Sequence, residues 1–118
     1  MPTTFANGEN YCNKFNYGHL ASISDAFVNQ FLTSYLQKTV VNKSEPVWTG
    51  GYSLFVPFGN TYEWSWTDDN TFDYKNFENG DDSAYTDQVS ITINPSTGTW
   101  NSNANSNKYA ILCEMYKN

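Results

Sequence analysis

Seven acidic side chains are concentrated in one polar stretch of the sequence, residues 68–87. They are Asp68, Asp69, Asp73, Glu78, Asp81, Asp82 and Asp87. Carboxylate oxygens are calcium ligands and also accept hydrogen bonds from sugar hydroxyls, so this stretch is a candidate cation or sugar site. The same composition is typical of a solvated surface loop, and the spacing fits both alternatives. Adjacent aspartates point to opposite sides of an extended chain, which argues against a paired-carboxylate catalyst.

The only two cysteines, Cys12 and Cys113, lie near opposite ends of the chain, each beside an apolar segment. A disulfide between them would close a loop of about 100 residues, worth about 4–5 kcal/mol in the chain-entropy model. The alternative is a pair of buried, reduced thiols in a cytosolic domain, because two cysteines alone do not set a redox compartment.

Composition excludes several classes of function. The 118-residue chain has no arginine and a formal net charge of −6, which disfavours nucleic acid and anionic membrane surfaces as partners. No stretch approaches the ~20 apolar residues of a membrane span. No nucleophile elbow, histidine cluster or phosphate-binding loop is present, so the sequence predicts no enzyme and no catalytic residue. Aromatic residues make up 18% of the chain, enough to fill the core of one domain.

Hydrophobic periodicity predicts two helices followed by short strands. The first helix is expected over Thr4–Asn16 with Gly18 as a left-handed cap, and a strand then begins at Leu20. Apolar pairs every four residues predict a second helix, capped near Ser24 and Asp25 and ending about Lys38. Residues 46–51 predict a buried strand running into a turn, alternating segments predict strands at 63–66, 88–93 and 109–113, and a further strand is expected to start at 99–101. The polar stretch 68–87 is therefore expected to be a long loop between strands, and a loop of that length in a compact domain is usually functional or held in place by other groups.

Five short motifs resemble the C-type lectin-like domain family, in the family's order and spacing, over residues 5–114. They are Tyr17–Ile23, Trp64–Asp68, Asp73–Phe77, Thr99–Asn101 and Ala110–Glu114. The resemblance implies an α+β fold with two helices packed on small antiparallel sheets and a long loop region, formed as one domain over residues 1–118. It also implies a Cys12–Cys113 disulfide and an extracellular location, either secreted or in the ectodomain of a membrane protein.

The family's calcium ligands fall on residues that are mostly uncharged in this sequence. The usual Glu-Pro-Asn or Gln-Pro-Asp triplet falls on Asp81-Asp82-Ser83, a later glutamate on Thr86, and an Asn-Asp pair on Asn101-Ser102. Asp87 resembles an aspartate that borders the family's auxiliary calcium site. The resemblance therefore implies ligand-binding residues Asp81, Ser83, Asp87, Asn101 and Ser102, with Asp81, Asn101 and Asp87 as weak calcium ligands. Because affinity follows the number of charged ligands, we expect millimolar calcium binding at best.

Two further features concern the chain surface. The family's first strand precedes the first helix, and only residues 1–3 could supply it here, so we expect the last strand to expose an edge that a homodimer could cover. Asn42-Lys43-Ser44 is an acceptable N-glycosylation sequon, which makes Asn42 the predicted glycosylation site.

The aromatic residues and the single histidine have structural interpretations. We expect Trp64, Trp66 and Trp100 to fill the core rather than to stack on sugars. His19 is expected to be a packed strand residue. The segment with Tyr52, Phe55 and Phe58 either forms an exposed contact patch or covers the core as a long hairpin.

The leading functional prediction is an extracellular carbohydrate-binding lectin domain with weak calcium dependence. A calcium-independent protein-binding module on the same fold is the alternative. The partner is accordingly a glycan or a protein, and calcium is the only cofactor that the resemblance implies.

Overall fold

The computed structural model describes residues 2–40, 42–80 and 84–115. Its elements in chain order are α1 (Phe5–Cys12), β1 (His19–Leu20), α2 (Ala26–Thr39), β2 (Val47–Val56), β3 (Thr61–Trp66), β4 (Val89–Ile93), β5 (Trp100–Ala104), β6 (Ala110–Ile111) and β7 (Cys113–Glu114). Two helices accompany small, mainly antiparallel sheets, so the predicted α+β class is confirmed. No helix in the described ranges is long and apolar enough to cross a membrane.

Helix α1 is shorter at both ends than its apolar pattern predicted. Thr4 is its N-cap and accepts a hydrogen bond from Asn7 N at 3.4 Å. The helix ends at Cys12, and Asn13 follows as a right-handed C-cap with φ −63°. The left-handed residues come later, at Asn16 and Tyr17, with φ of 47° and 59°. Asparagine is one of the few residues that adopts this conformation readily.

Gly18 has a different role from the left-handed cap that the sequence predicted. A Cβ atom at this position would lie 2.6 Å from Cys12 O and 2.8 Å from Glu114 O. Glycine is therefore required because the backbone passes between the end of α1 and the last strand.

Helix α2 begins and ends close to its predicted limits. Asp25 is the N-cap, and its Oδ1 accepts a hydrogen bond from Val28 N at 2.8 Å. The body of the domain packs against Val28, Leu32 and Leu36, which lie on one face of the helix. The apolar residue that precedes each of them lies on a neighbouring face that stays exposed.

The larger sheet has the strand order β3-β2-β4-β5, and β6 pairs with β2 in parallel. Strands β2 and β3 form a long hairpin, with register pairs from Gly51–Trp66 to Val56–Thr61. A second, two-stranded sheet pairs β1 with β7. Strand β5 is an outer strand of the larger sheet, and its first residue, Trp100, is bridged to Phe77 of the long loop.

Two apolar clusters hold these layers together. The larger one includes Trp64, Trp66 and Trp100, which are 8%, 1% and 0% exposed, so the predicted core role of these tryptophans is confirmed. The smaller one lies under α1 and contains Phe5, Cys12, Leu20 and Trp48. The predicted Cys12–Cys113 disulfide is present, with the two Cα atoms 5.5 Å apart, and it ties α1 to β7.

The residues before α1 pair with the beginning of segment 109–114, the segment for which an open edge was expected. Tyr109 exchanges two backbone hydrogen bonds with Thr3, at 2.8 and 2.9 Å, in an isolated antiparallel bridge. Further along, β7 pairs with β1, and Ala21 N donates to Leu112 O at 2.8 Å. Among the described residues, β7 has β1 as its one strand partner, so the other edge of β7 is unpaired and a homodimer through this segment stays a prediction.

Candidate functional site

The middle of the long loop lies beside the first residue of β5. Phe77 forms a parallel bridge with Trp100. Trp100 N donates to Asn76 O at 2.9 Å, and Glu78 N donates to Trp100 O at 3.0 Å. The loop is thus fixed by backbone hydrogen bonds to the strand that carries Asn101 and Ser102.

Trp100 is the anchor of this region. Its indole Nε1 donates to Asn29 Oδ1 at 2.7 Å, and the amide of Asn29 donates to Gly98 O at 2.9 Å. A second amide, from Asn76 in the loop, donates to the same carbonyl at 2.7 Å. Four aromatic rings surround the indole with centroid distances of 5.5 to 6.2 Å, and they belong to Trp66, Phe72, Tyr74 and Phe77. Helix α2, the loop and β5 are therefore held as one unit.

The structure places two of the predicted ligand residues, Asn101 and Ser102, half-buried on β5. Among the described residues, the Asn101 side chain has no hydrogen-bond partner, although its backbone carbonyl accepts one from Thr92 Oγ1 at 3.2 Å. Asp81 and Ser83, the other predicted ligand residues of the loop, lie outside the described residues.

Asp87 is held apart from Asn101. It precedes β4 and is exposed, and its Oδ1 accepts a hydrogen bond from Gln88 Nε2 at 3.3 Å. Gln88 O accepts from Asn105 N at 2.9 Å, which places Asp87 near the far end of β5. Four residues of extended chain, roughly 13 Å, separate Asn105 from Asn101. Asp87 and Asn101 therefore lie at different places on the surface.

The described residues do not fit a tight calcium site. In residues 2–40, 42–80 and 84–115, no group of three or more histidine, cysteine or acidic side chains could hold a metal ion. Calcium takes six to eight oxygens, with carboxylates among them. The side chains at the start of β5, Asn101 and Ser102, are an amide and a hydroxyl. These groups are uncharged and carry both hydrogen-bond donors and acceptors, which suit a neutral polar ligand.

The sequence is similar to known proteins along nearly its whole length. It matches the Lectin C-type domain family over residues 1–115. The chain belongs to the C-type lectin domain family. Since the match extends over nearly the entire chain, the fold predicted from the short motifs is confirmed for this C-type lectin domain.

Solved structures agree with the family assignment. Human lithostathine superimposes with a TM-score of 0.81 at 22% identity, over 98% of this chain and 86% of that one. CEL-IV gives 0.80 at 22% identity, over 98% and 82%. A calcium-independent type II antifreeze protein gives 0.71 at 22% identity, over 97% and 80%. At these identities the likeness shows the fold alone. Among curated proteins, none matches this sequence significantly.

This C-type lectin domain also contains a carboxylate pair that sequence reasoning missed. Ser22 Oγ donates to Asp68 Oδ2 at 2.5 Å and lies 3.1 Å from Glu114 Oε1, which also accepts from Ser22 N at 2.6 Å. Asn70 Nδ2 donates both to Ser22 Oγ at 3.0 Å and to Asp68 Oδ2 at 2.9 Å. A single hydroxyl proton cannot serve both carboxylates. Only the fold brings Ser22 and Glu114 together, across 92 residues of sequence.

Opposite pKa shifts distinguish Glu114 from Glu9. Burial is the largest influence on Glu114, and together with the carboxylate of Asp68 it raises the pKa above its usual range, although the Ser22 N–H opposes this. Burial also acts to raise the pKa of Glu9, but hydrogen bonds from Leu20 N at 2.9 Å and from other neighbours hold the net pKa below its usual value. Glu9 Oε2 also lies 2.6 Å from Nδ1 of His19, which is half-buried on β1.

We expect Glu114→Gln and Glu9→Gln to change the pH dependence of stability in opposite directions. A raised folded-state pKa means that folding favours the protonated form of Glu114, so glutamine should stabilise the domain at pH 7. That gain should shrink as the pH falls through the raised pKa, because wild-type Glu114 is then protonated. A lowered pKa means that charged Glu9 is stabilising, so Glu9→Gln should destabilise at pH 7 and lose its effect as the pH falls through the lowered pKa.

Urea denaturation from pH 7 down to about pH 3, below the ordinary glutamate pKa of about 4.3, measures both effects. Glu63→Gln is the control, because Glu63 is an exposed residue of β3. Its stability curve should run parallel to that of the wild type. Destabilisation at pH 7 by Glu114→Gln would contradict the assignment of the carboxylate pair.

Tyr52, Phe55 and Phe58 lie on the β2–β3 hairpin and do not share one environment. Phe58 in the turn is 95% exposed, and Phe55 at the end of β2 is 40% exposed. Tyr52 instead packs against the smaller apolar cluster, with its ring centroid 6.5 Å from that of Phe5. The tip of the hairpin is thus an exposed apolar patch, and its base covers the core.

Proposed function

We propose that this C-type lectin domain binds carbohydrate at the start of β5, together with the loop residues beside it, and that calcium contributes little. The observation that supports this most directly is the Asn101 amide, which is half-buried and has no hydrogen-bond partner among the described residues. It stands next to the rigid Trp100 anchor, so its position does not depend on a bound ion.

The chemistry of this face suits sugar hydroxyls. An amide offers an acceptor oxygen and two N–H donors, and Ser102 adds a hydroxyl. Glu78 is exposed, and its backbone N–H is bonded to Trp100 O, so its carboxylate belongs to the same part of the surface. Asp81 and Ser83 remain part of the proposed binding set as loop residues, and Asp87 is a separate, weaker candidate.

Replacement of Asn101 by alanine tests this site. Because the side chain has no described partner to lose, the variant should fold normally, and the affinity for the best glycan of a mixed panel should fall by about tenfold, as expected for one to two lost hydrogen bonds. Asn10→Ala, an exposed asparagine of α1, is the matched control and should bind as the wild type does. Unchanged glycan binding in Asn101→Ala, or no glycan bound by the wild type, would overturn the proposal.

Calcium is expected to change the stability of the domain very little. A ligand that binds only the native state stabilises it by RT ln(1 + [L]/Kd), so a millimolar site gains at most about 1 kcal/mol in a few millimolar calcium. The melting temperature should therefore stay nearly constant between excess chelator and that concentration. A rise of many degrees would show that residues outside the described part complete a strong site.

A calcium-independent protein-binding module is the second proposal, and the exposed tip of the β2–β3 hairpin favours it. Leu54, Phe55 and Phe58 present apolar side chains together on this protrusion. If a protein is the ligand, Phe58→Ser should weaken capture of that protein and Asn101→Ala should not. The reverse pattern would support the carbohydrate site.

We also propose that the domain is non-catalytic and works outside the cell, as a secreted protein or an ectodomain. The Cys12–Cys113 disulfide supports an oxidising compartment. Asn42 is exposed, and its Oδ1 accepts hydrogen bonds from Ser44 N at 3.0 Å and Ser44 Oγ at 2.6 Å in a local turn. In a eukaryotic secretory host, the protein should carry an N-glycan that Asn42→Gln removes, as measured by intact mass.

A further inference from the structure

Helix α2 presents an exposed aromatic stripe to solvent. Phe27, Phe31 and Tyr35 follow one another at intervals of four residues and are 84%, 70% and 51% exposed. Residues four apart lie above one another on a helix, so the three rings form one continuous strip. Large exposed apolar surfaces on soluble domains commonly mark interaction sites.

A groove runs beside the second half of this stripe. Its volume is about 580 Å³, and its walls come from α2, the end of α1 and the last strands. The side chains that line it include Tyr11, Phe31, Tyr35, Leu36, Ile111 and Met115. Phe27, the most exposed ring of the stripe, does not line the groove. Each molecule therefore has one projecting ring and one apolar cleft along the same helix.

We propose that this surface is the interface of a homodimer in which two α2 helices pack antiparallel across a two-fold axis at Phe31. In that arrangement Phe31 meets Phe31 of the second copy, and Phe27 lies opposite Tyr35. The projecting ring of each copy then reaches the groove of the other. The same contact is made twice, as a two-fold interface requires.

The charges of the helix fit this arrangement. Between residues 25 and 39 the only charged side chains are Asp25 at the start and Lys38 at the end. With the two-fold axis at Phe31, residue 25 of one copy lies opposite residue 37 of the other, next to Lys38. The same pairing of Asp25 with Lys38 occurs at both ends of the interface. The antiparallel helix dipoles are also favourable. Parallel packing would instead place like charges together.

The apolar area is sufficient for a stable contact when the groove is included. An aromatic side chain carries about 150–250 Å² of surface, so the exposed fractions of the three rings supply about 400 Å² in each copy. A standard interface takes about 800 Å² from each partner. Tyr11 and Met115, which are 51% and 58% exposed on the groove, extend the contact toward that value. A second copy is the occupant that matches both the shape and the charge pattern.

Sedimentation equilibrium of the domain expressed without N-glycans, over about 1–200 μM in ~0.15 M salt, tests the proposal. The wild type should show a monomer–dimer equilibrium. Phe31→Gln should weaken dimerisation at least tenfold and remain folded, since its ring is mostly exposed. Phe58→Gln is the control, because it removes a still more exposed phenylalanine ring from the β2–β3 turn, and it should dimerise as the wild type does.

The charge pairing gives an independent test of the antiparallel orientation. Lys38→Glu should place two acidic side chains opposite each other at both ends of the interface and weaken the dimer. The neutral replacement Lys38→Gln serves as the comparison, and it should weaken dimerisation less than Lys38→Glu does. A wild type that is monomeric at 200 μM, a dimer insensitive to Phe31→Gln, or a monomer whose groove binds an apolar fluorescent dye would overturn the proposal.

Discussion

Replacing both Cys12 and Cys113 with alanine is expected to lower the free energy of unfolding by about 4–5 kcal/mol. The two residues are 101 positions apart, so their disulfide removes much of the conformational entropy of the unfolded chain. Urea denaturation monitored by tryptophan fluorescence measures the loss. Because small domains are stable by only about 5–15 kcal/mol, the variant should melt far below the wild type.

A control separates the covalent bond from the packing of its sulfur atoms. Cys12 is fully buried, so its alanine variant also loses some packing. Wild-type protein kept in a reducing agent retains both sulfur atoms and loses only the bond between them, so it should be destabilised by nearly the same amount. A loss below about 1 kcal/mol in the double alanine variant would contradict the expected contribution of a loop this long.

The second large effect is expected for Trp100→Ala, which should cost about 3–5 kcal/mol and abolish ligand binding. The indole is fully buried, and four aromatic rings pack around it. The variant also leaves Asn29 Oδ1 without its donor. Since the loop is bonded to the backbone of residue 100, loss of the side chain should loosen the loop as well.

Trp100→Phe keeps this prediction testable if the alanine variant fails to fold. Phenylalanine preserves most ring contacts but removes the N–H that binds Asn29, so we expect an intermediate loss of about 1–3 kcal/mol. Asn29→Ala should cost a similar amount, because it leaves the same indole N–H unpaired. Full stability of both variants, measured by urea denaturation, would contradict the role of Trp100 as the anchor of the loop.

The parts of the fold that the sequence predicted depend on local patterns or on dominant side chains. The repeat on α2 and its Asp25 cap predicted the helix limits well, because both signals act within one or two turns. The tryptophans fill the core because large aromatic side chains gain the most free energy from burial. The cysteine pairing followed from the family resemblance, and its geometry required only that α1 meet the last strand.

The features that could not be predicted depend on contacts between distant residues. Gly18 suits a cap in the sequence, yet its function is set by the carbonyl of Glu114, which only the fold brings near. The Ser22–Asp68–Glu114 contact joins three separate segments. The limits of α1 were overestimated because apolar spacing continues past Cys12, where the chain has already turned toward β1.

The candidate site was partly predictable for a similar reason. The family pattern predicted Asn101 and Ser102 as ligand-binding residues, which stays a prediction, and β5 places both beside the loop. It could not show that the Asn101 amide lacks a described partner or that Asp87 lies toward the other end of the strand. The stripe of α2 was visible as apolar residues, but periodicity does not distinguish a buried face from an exposed one.

We propose that this C-type lectin domain recognises carbohydrate without relying on calcium. Isothermal titration calorimetry with the best glycan of the panel tests it directly, in excess chelator and again in a few millimolar calcium. We expect dissociation constants that agree within about threefold, a difference below 1 kcal/mol. Binding that is present with calcium and lost in chelator would contradict the claim.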